Sequence, residues 1–188
     1  YCVFDYDTFY KYDGKILAGL FNIESGEVEY FDKDALDEKN MILRGSCAIP
    51  FMFPFANIKG KLYADGGLKD SIPIKKSLKD GNEKNLIVLT INEGYRKKQS
   101  KANKLAYKFY KKKYPKLAQV LVNRYKEYNE QIELCEELEK RGDAIIIRPT
   151  VKMDISRFER DRNKLREIYQ NGYDIIIKNK DKILNYMN

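Results

Sequence analysis

The sequence contains no histidine, and this absence excludes several common catalytic and metal-binding arrangements. The 188-residue chain cannot form a Ser-His-Asp or Cys-His arrangement from its own residues, nor a metal site with imidazole ligands. It has three cysteines, an odd number without metal-ligand spacing, which argues against a disulfide framework. No apolar run reaches the length of a transmembrane helix. We therefore expect a cytoplasmic protein, and no motif indicates a cofactor or a metal.

The chain also lacks the motif that usually presents a nucleophilic serine. Gly-x-Ser-x-Gly places a serine on a sharp turn between a strand and a helix, and none of the six serines has glycine two residues away on both sides. No Gly-x-Gly occurs either, so no glycine-rich oxyanion loop is predicted. Because the chain begins with Tyr1 rather than Met, we expect it to be the C-terminal part of a longer protein.

Negative charge is missing from one long stretch. Residues 95–126 carry 12 Lys or Arg and no Asp or Glu, which more than accounts for the net charge of +8. Such a run is typical of a solvated helix face, although it also suits peripheral contact with an anionic membrane. Stacking of its aromatic residues on single-stranded nucleic acid is a third interpretation, disfavoured because no nucleic-acid-binding motif is present. The aromatic residues interleaved with these cations are Tyr107, Phe109, Tyr110 and Tyr114.

One stretch presents a carboxylate at the end of a predicted strand. Residues 61–65 alternate between polar and apolar, which indicates a strand, and Gly66 and Gly67 end it. Glycine tolerates positive φ and leaves room for another backbone or a substrate, so Asp65 can point out of the sheet. Asp-Gly is also a common surface turn, and on its own this dipeptide favours a turn over a catalytic acid.

Several ordered segments share the pattern of one enzyme family. They are Ser46-Cys47-Ala48-Ile49-Pro50, Lys61-Leu62-Tyr63-Ala64-Asp65-Gly66-Gly67, Asp70-Ser71-Ile72-Pro73 and Leu86-Ile87-Val88-Leu89-Thr90. Together they resemble the C-terminal half of a bacterial patatin-like phospholipase, over nearly all of residues 1–188. The resemblance implies a three-layer α/β fold, with a central and largely parallel sheet flanked by helices, of which this chain is the C-terminal portion.

The same resemblance implies an activity. In that family an aspartate in this motif is the base of a Ser-Asp dyad, so Asp65 is expected to activate a serine upstream of this chain, with Gly66 and Gly67 forming the motif turn. The substrate would be a lipid or another ester, and the upstream segment of the same protein would be a partner of this one. A non-catalytic homologue that binds an anionic membrane or nucleic acid through residues 95–141 is the alternative.

The apolar segment before the motif is expected to contact substrate. Residues 48–55 place two prolines among bulky apolar side chains, which suits neither a helix nor a central strand, so we predict a buried loop. Such a loop serves equally well as a pocket wall or as core. In the patatin-like family it lies beside the acyl-binding cleft, which implies that Ile49, Phe51 and Phe53 bind substrate.

Periodicity and turn residues predict the remaining elements. A hairpin is predicted over residues 15–21 and 27–31, a helix over 34–44, a short helix after Pro73, a strand buried on both faces over 85–91, and a strand over 144–147. Further helices are predicted over 101–112, from Pro115 to Arg141, from Ser156 or Asp161 to a point before Gly172, and from Tyr173 to Met187.

Overall fold

The computed structural model describes residues 5–35, 40–150, 152, 155–156 and 159–187. The strands are β1 (Leu17–Asn22), β2 (Val28–Asp32), β3 (Ala56–Ile58), β4 (Lys61–Asp65), β5 (Asn85–Val88) and β6 (Ala144–Ile147). The helices are α1 (Tyr6–Lys11), α2 (Met41–Ser46), α3 (Ile74–Lys79), α4 (Lys101–Tyr110), α5 (Pro115–Arg141), α6 (Arg162–Lys178) and α7 (Lys180–Met187). The chain is therefore an α/β protein, as expected.

The chain divides into two compact units. The first combines Tyr1–Ile72 with Lys98–Tyr128, and the second combines Pro73–Lys97 with Asn129–Asn188.

The first unit is built on an antiparallel sheet with the strand order β2-β1-β4-β3. The hairpin of β1 and β2 is confirmed, with Leu17 opposite Asp32 and Phe21 opposite Val28. Strand β4 pairs with β1 so that Asp65 lies opposite Leu20. This sheet is antiparallel, whereas the expected sheet was largely parallel. Its pairing of β1 with β4 joins segments that are distant in the sequence, and no local pattern reveals such a pairing.

The two faces of this sheet pack against different helices. Neighbouring residues of a strand point to opposite faces. On one face Phe21 and Ala64 belong to a buried cluster with residues of α4 and α5, namely Ala106, Tyr110, Leu117, Ala118 and Leu121. On the other face Leu20 and Tyr63 pack with Ile42 of α2. The end of β4 is thus held from both sides.

The helix predicted over residues 34–44 is not continuous. Lys33–Ala35 forms a 3-10 turn, and α2 begins only at Met41 after Asn40 in the left-handed conformation, with φ of 51°. Leu36, on which part of the predicted spacing rested, lies outside the described residues. Helix α2 ends at Ser46, close to the predicted end at Gly45.

The second unit contains the parallel pair β5 and β6. Both strands were predicted, but β5 ends at Val88 rather than near Ile91. The prediction that both of its faces are buried is wrong. Leu86 and Val88 are 41% and 66% exposed, whereas all four residues of β6 are buried. In the described structure one face of β5 is therefore uncovered.

The last two helices meet at Asn179 rather than at Gly172. Asp161 is the N-cap of α6, and its Oδ1 accepts the backbone N–H of Asn163 at 2.8 Å. The alternative start at Ser156 depends on Arg157 and Phe158, which lie outside the described residues. Gly172 does not end the helix because one glycine costs only about 1 kcal/mol in a helix interior.

Candidate functional site

Asp65 stands at the end of β4, where three segments of the first unit meet. Its backbone pairs with Leu20 of β1, and its backbone N–H donates to the carbonyl of Ala48 at 3.1 Å. Ala48 is 1% exposed. The structure therefore brings together two of the segments named in the sequence analysis, the one around Ala48 and the one around Asp65.

The two carboxylate oxygens of Asp65 have different surroundings. Oδ1 accepts the backbone N–H of Gly67 at 2.8 Å, which caps the 3-10 turn Gly66–Leu68. Within the described part of the chain, Oδ2 accepts no hydrogen bond, and the side chain is half-buried. One oxygen thus fixes the orientation of the carboxylate, while the other remains able to accept a proton.

The glycines after Asp65 are needed for space rather than for a left-handed backbone. Neither Gly66 nor Gly67 has a positive φ, so that part of the prediction is wrong. A Cβ at Gly66 would lie 2.3 Å from the carbonyl oxygen of Gly19, and one at Gly67 would lie 3.1 Å from Asp65 Oδ1. The expected close approach of another backbone is confirmed, and that backbone is β1.

Two side chains hold the turn in place, one from a segment that the sequence singled out and one that it did not indicate. The Gly67 carbonyl accepts the hydroxyl of Ser71 at 2.7 Å and the Nε–H of Arg124 at 3.1 Å. Arg124 comes from α5, far along the chain, so no local motif could have identified it. Ser71 donates its hydroxyl proton to this carbonyl and not to Asp65, which indicates a positioning role.

The loop before β3 is more exposed than predicted. Ala48 and Pro50 are buried and Ile49 is half-buried, but Phe51 and Phe53 are 61% and 54% exposed. The prediction of a buried loop is therefore wrong for its centre.

One of the three predicted substrate-binding side chains lines a cavity. Phe53 borders a cavity of about 280 Å³ in the first unit. Ile49 and Phe51 are not among the described residues that line it. Its other lining residues are Met41, Arg44, Cys47, Pro54, Phe55 and Ala56.

A buried polar network ties β4 to β1 and β2. The Tyr63 hydroxyl donates to Glu29 Oε2 at 2.7 Å, and Asn22 Nδ2 donates to Glu29 Oε1 at 2.6 Å. Burial, followed by the hydrogen bond to Glu29, raises the pKa of Tyr63 to about 12. The hydrogen bond from Tyr63 holds the pKa of Glu29 below its usual value. The network fixes the strand two residues before Asp65.

Among the described residues, no group of three or more cysteine or carboxylate side chains is placed to hold a metal ion. None of the described helices combines the length and the apolar character needed to cross a bilayer.

Comparison with known proteins identifies one domain. Residues 114–188 match a domain of unknown function (DUF6363), which is less than half of the chain. No curated protein was found to match. The matched region begins at the residue before α5 and does not include Asp65.

Proposed function

We propose that this chain carries the aspartate half of a Ser-Asp dyad in a patatin-like lipid acyl hydrolase. The observation that carries the proposal is the asymmetry of Asp65: Oδ1 is fixed by the Gly67 N–H at 2.8 Å, and Oδ2 is left to act as a base. The serine would come from the upstream segment of the same protein. The resemblance of the motif segments to that family supports the same assignment.

The reaction follows from the placement of Asp65. Oδ2 takes the proton of the serine hydroxyl while the serine oxygen attacks the ester carbonyl. The tetrahedral intermediate collapses, and the departing alcohol takes the proton from Asp65. A water molecule then attacks the acyl-enzyme, Asp65 accepts its proton, and the serine regains a proton as the carboxylic acid leaves. Backbone N–H groups of a glycine-rich loop, also upstream, would stabilise the oxyanion.

As part of this proposal, the complete protein has a three-layer fold with a central, largely parallel sheet. Parallel sheets normally have both faces covered, and a sheet of only two strands is marginally stable. In the second unit, Leu86 and Val88 of β5 remain exposed. Further strands and helices from the upstream segment would complete such a sheet, and this supports the assignment of the chain as the C-terminal portion of a larger domain.

The test is Asp65→Asn in the complete protein, assayed with a chromogenic short-chain ester. Asparagine Oδ1 still accepts the Gly67 N–H, so the turn is retained, but the amide cannot serve as a base. We expect kcat/KM to fall by about 10²–10⁴-fold.

The matched control is Asp34→Asn, which changes the same charge at an exposed position of the first unit. We expect it to leave turnover and the circular dichroism spectrum unchanged. Near-normal turnover in Asp65→Asn would exclude Asp65 as the base.

A further inference from the structure

Five large apolar side chains are exposed on two segments of the first unit that touch through Phe51 and Phe109. Phe51, Met52 and Phe53 come from the loop before β3, and Leu105 and Phe109 come from α4. They are 61%, 39%, 54%, 69% and 68% exposed, respectively. We call these five residues the apolar patch.

Ring contacts join the two segments of the apolar patch. The Phe51 ring centroid lies 5.2 Å from that of Phe109 and 4.8 Å from that of Tyr110. Tyr110 is 7% exposed and belongs to the core, so it anchors Phe51 from below. Leu105 and Phe109 are four residues apart on α4 and therefore share one face. The loop and the helix thus present a single surface.

The backbone under the apolar patch is in an unfavourable conformation. Phe51 has φ of 68°, a region that bulky non-glycine residues rarely adopt. In that conformation its exposed ring contacts Phe109. Exposed apolar surface of this kind usually marks contact with another protein or with a membrane.

Lysines flank the helical part of the apolar patch along the chain. Those on α4, and the two directly after it, are exposed, and no acidic residue occurs between positions 95 and 126. Each cation near an anionic bilayer contributes attraction, and apolar side chains beside such cations anchor proteins at the headgroup boundary. The exposed lysines concerned are Lys101, Lys104, Lys108, Lys111 and Lys112.

The placement of the aromatic residues separates a membrane from nucleic acid. Of the aromatic residues interleaved with these lysines, Tyr110 is buried, Tyr107 and Tyr114 are half-buried, and Phe109 is exposed. The lysine-rich stretch itself therefore exposes one ring rather than the row of rings expected for base stacking. Met52 and Leu105 lack an aromatic face altogether, whereas they suit insertion among acyl chains.

We propose that the apolar patch inserts into the headgroup boundary of an anionic bilayer while the flanking lysines contact the lipid headgroups. This inference goes beyond the proposed hydrolase, because it concerns binding and does not require Asp65.

Tryptophan fluorescence tests the insertion directly, because residues 1–188 contain no tryptophan and the emission of the introduced residue is obtained as the difference from the unsubstituted complete protein. Phe51→Trp is introduced into the complete protein and titrated with equimolar phosphatidylserine and phosphatidylcholine vesicles at low salt. We expect a blue shift with these vesicles and none with phosphatidylcholine alone. No shift with the anionic vesicles would overturn the proposal, as would binding of single-stranded oligonucleotide that competes with them.

Vesicle co-sedimentation tests which residues contribute. The double variant Phe51→Ser with Phe109→Ser should reduce partitioning by at least about tenfold, and Leu105→Ser should act in the same direction. The control is Tyr169→Ser on α6, where the side chain is 71% exposed and partitioning should not change. Binding that survives removal of both phenylalanines would reduce the interaction to simple charge attraction and contradict insertion.

The contribution of the lysines is tested with two triple variants that have the same net charge as each other. Replacing Lys108, Lys111 and Lys112 with Gln should weaken partitioning about 100-fold, at roughly fivefold for each cation. The same replacement at the exposed Lys75, Lys79 and Lys182 should have a much smaller effect. Equal losses in both sets would show that only overall charge matters and would overturn the assignment to this surface. Because no ester is hydrolysed in these assays, their outcome is independent of Asp65.

Discussion

At the scale of single residues, the Asp65 turn depends on the missing side chain of Gly66. The site of its Cβ is occupied by the backbone of β1, 2.3 Å from the Gly19 carbonyl oxygen. A backbone atom cannot rotate away as a flexible side chain can, so a substitution there must shift the strand or the turn.

Gly66→Ala should therefore destabilise the protein. We expect the free energy of unfolding to fall by about 1–3 kcal/mol, as in other overpacked sites, measured by urea unfolding followed by circular dichroism. An unchanged unfolding midpoint would contradict the close approach to Gly19.

Gly172→Ala is the matched control and should have the opposite effect. Apart from its chain neighbours and the backbone of its own helix, no atom of the described residues lies within 4 Å of the site of its Cβ, and the residue is within α6. Replacing an exposed helical glycine with alanine should stabilise the helix by about 0.5–1 kcal/mol. If Gly172→Ala destabilised the protein, the space available for a Cβ would not be what determines the effect of these two substitutions.

Tyr63 should make the first unit sensitive to alkaline pH. Its pKa is about 12 in the folded protein, whereas an unfolded tyrosine ionises near pH 10. The folded state therefore holds this proton more tightly. The resulting stability is fully present below pH 10 and is lost as the pH rises from 10 through 12.

Urea unfolding of the wild type and of Tyr63→Phe measures this effect. Between pH 9 and pH 11 the wild type should lose about 1 kcal/mol more than the variant, because all other titrating groups are common to both proteins. Parallel losses would contradict the buried hydrogen bond from Tyr63 to Glu29.

At this scale, the local sequence indicated Asp65 and its glycines as a candidate site. It did not indicate the tertiary contacts that require glycine there and hold the turn. Period-two alternation and Asp-Gly-Gly located the strand end. The contact of Gly66 with Gly19 and the bond from Arg124 to Gly67 depend on tertiary pairing, which no short pattern contains.

At the scale of elements, an ion-pair cluster fixes the end of β6 to α5 in the second unit. Arg148 contacts Glu136 at 3.1 Å and Glu93 at 3.2 Å, and its side chain is only 13% exposed. Arg96 contacts Glu136 at 2.6 Å. Burial opposes ionisation of Glu136, but the hydrogen bonds from the two arginines outweigh it and hold its pKa below the usual value.

Arg148→Met should destabilise the protein because it leaves part of this carboxylate charge uncompensated. Removing one partner of a largely buried ion pair costs about 3–5 kcal/mol, and the exposure of Glu93 reduces this to about 2–3 kcal/mol. Thermal unfolding measures the loss.

Arg141→Met provides the comparison, since its ion pair with Asp143 is largely exposed and should contribute less than about 1 kcal/mol. Equal effects of the two variants would show that burial of Arg148 does not govern the contribution of its ion pairs.

Most elements could be predicted from the sequence, and the errors have physical causes. Strong periodicity located the hairpin, β4, β6, α4 and α5, and α5 ends at Arg141 as predicted, before Gly142 with φ of 84°. The boundary between α6 and α7 was wrong because the amphipathic pattern continues through Gly172. An unbroken apolar run suggested burial of both faces of β5, but such a run cannot show what covers each face.

At the scale of the whole molecule, the matched domain and the proposed site occupy different parts of the chain. The domain of unknown function covers residues 114–188, while the Asp65 turn lies before it. Arg124 lies in the matched region and connects it to the turn, because its Nε–H donates to the Gly67 carbonyl. The α/β class could be predicted from the sequence, whereas the four-stranded antiparallel sheet could not, since its β1–β4 pairing joins distant segments.

The most direct test of the central claim is the intact mass of the complete protein after treatment with a fluorophosphonate, followed by mapping of the modified peptide. We expect one adduct on a serine outside these 188 residues, and its rate of formation should fall by at least about 100-fold in Asp65→Asn. An adduct on one of the six serines of this chain, no adduct at all, or undiminished labelling in Asp65→Asn would contradict a Ser-Asp dyad built on Asp65.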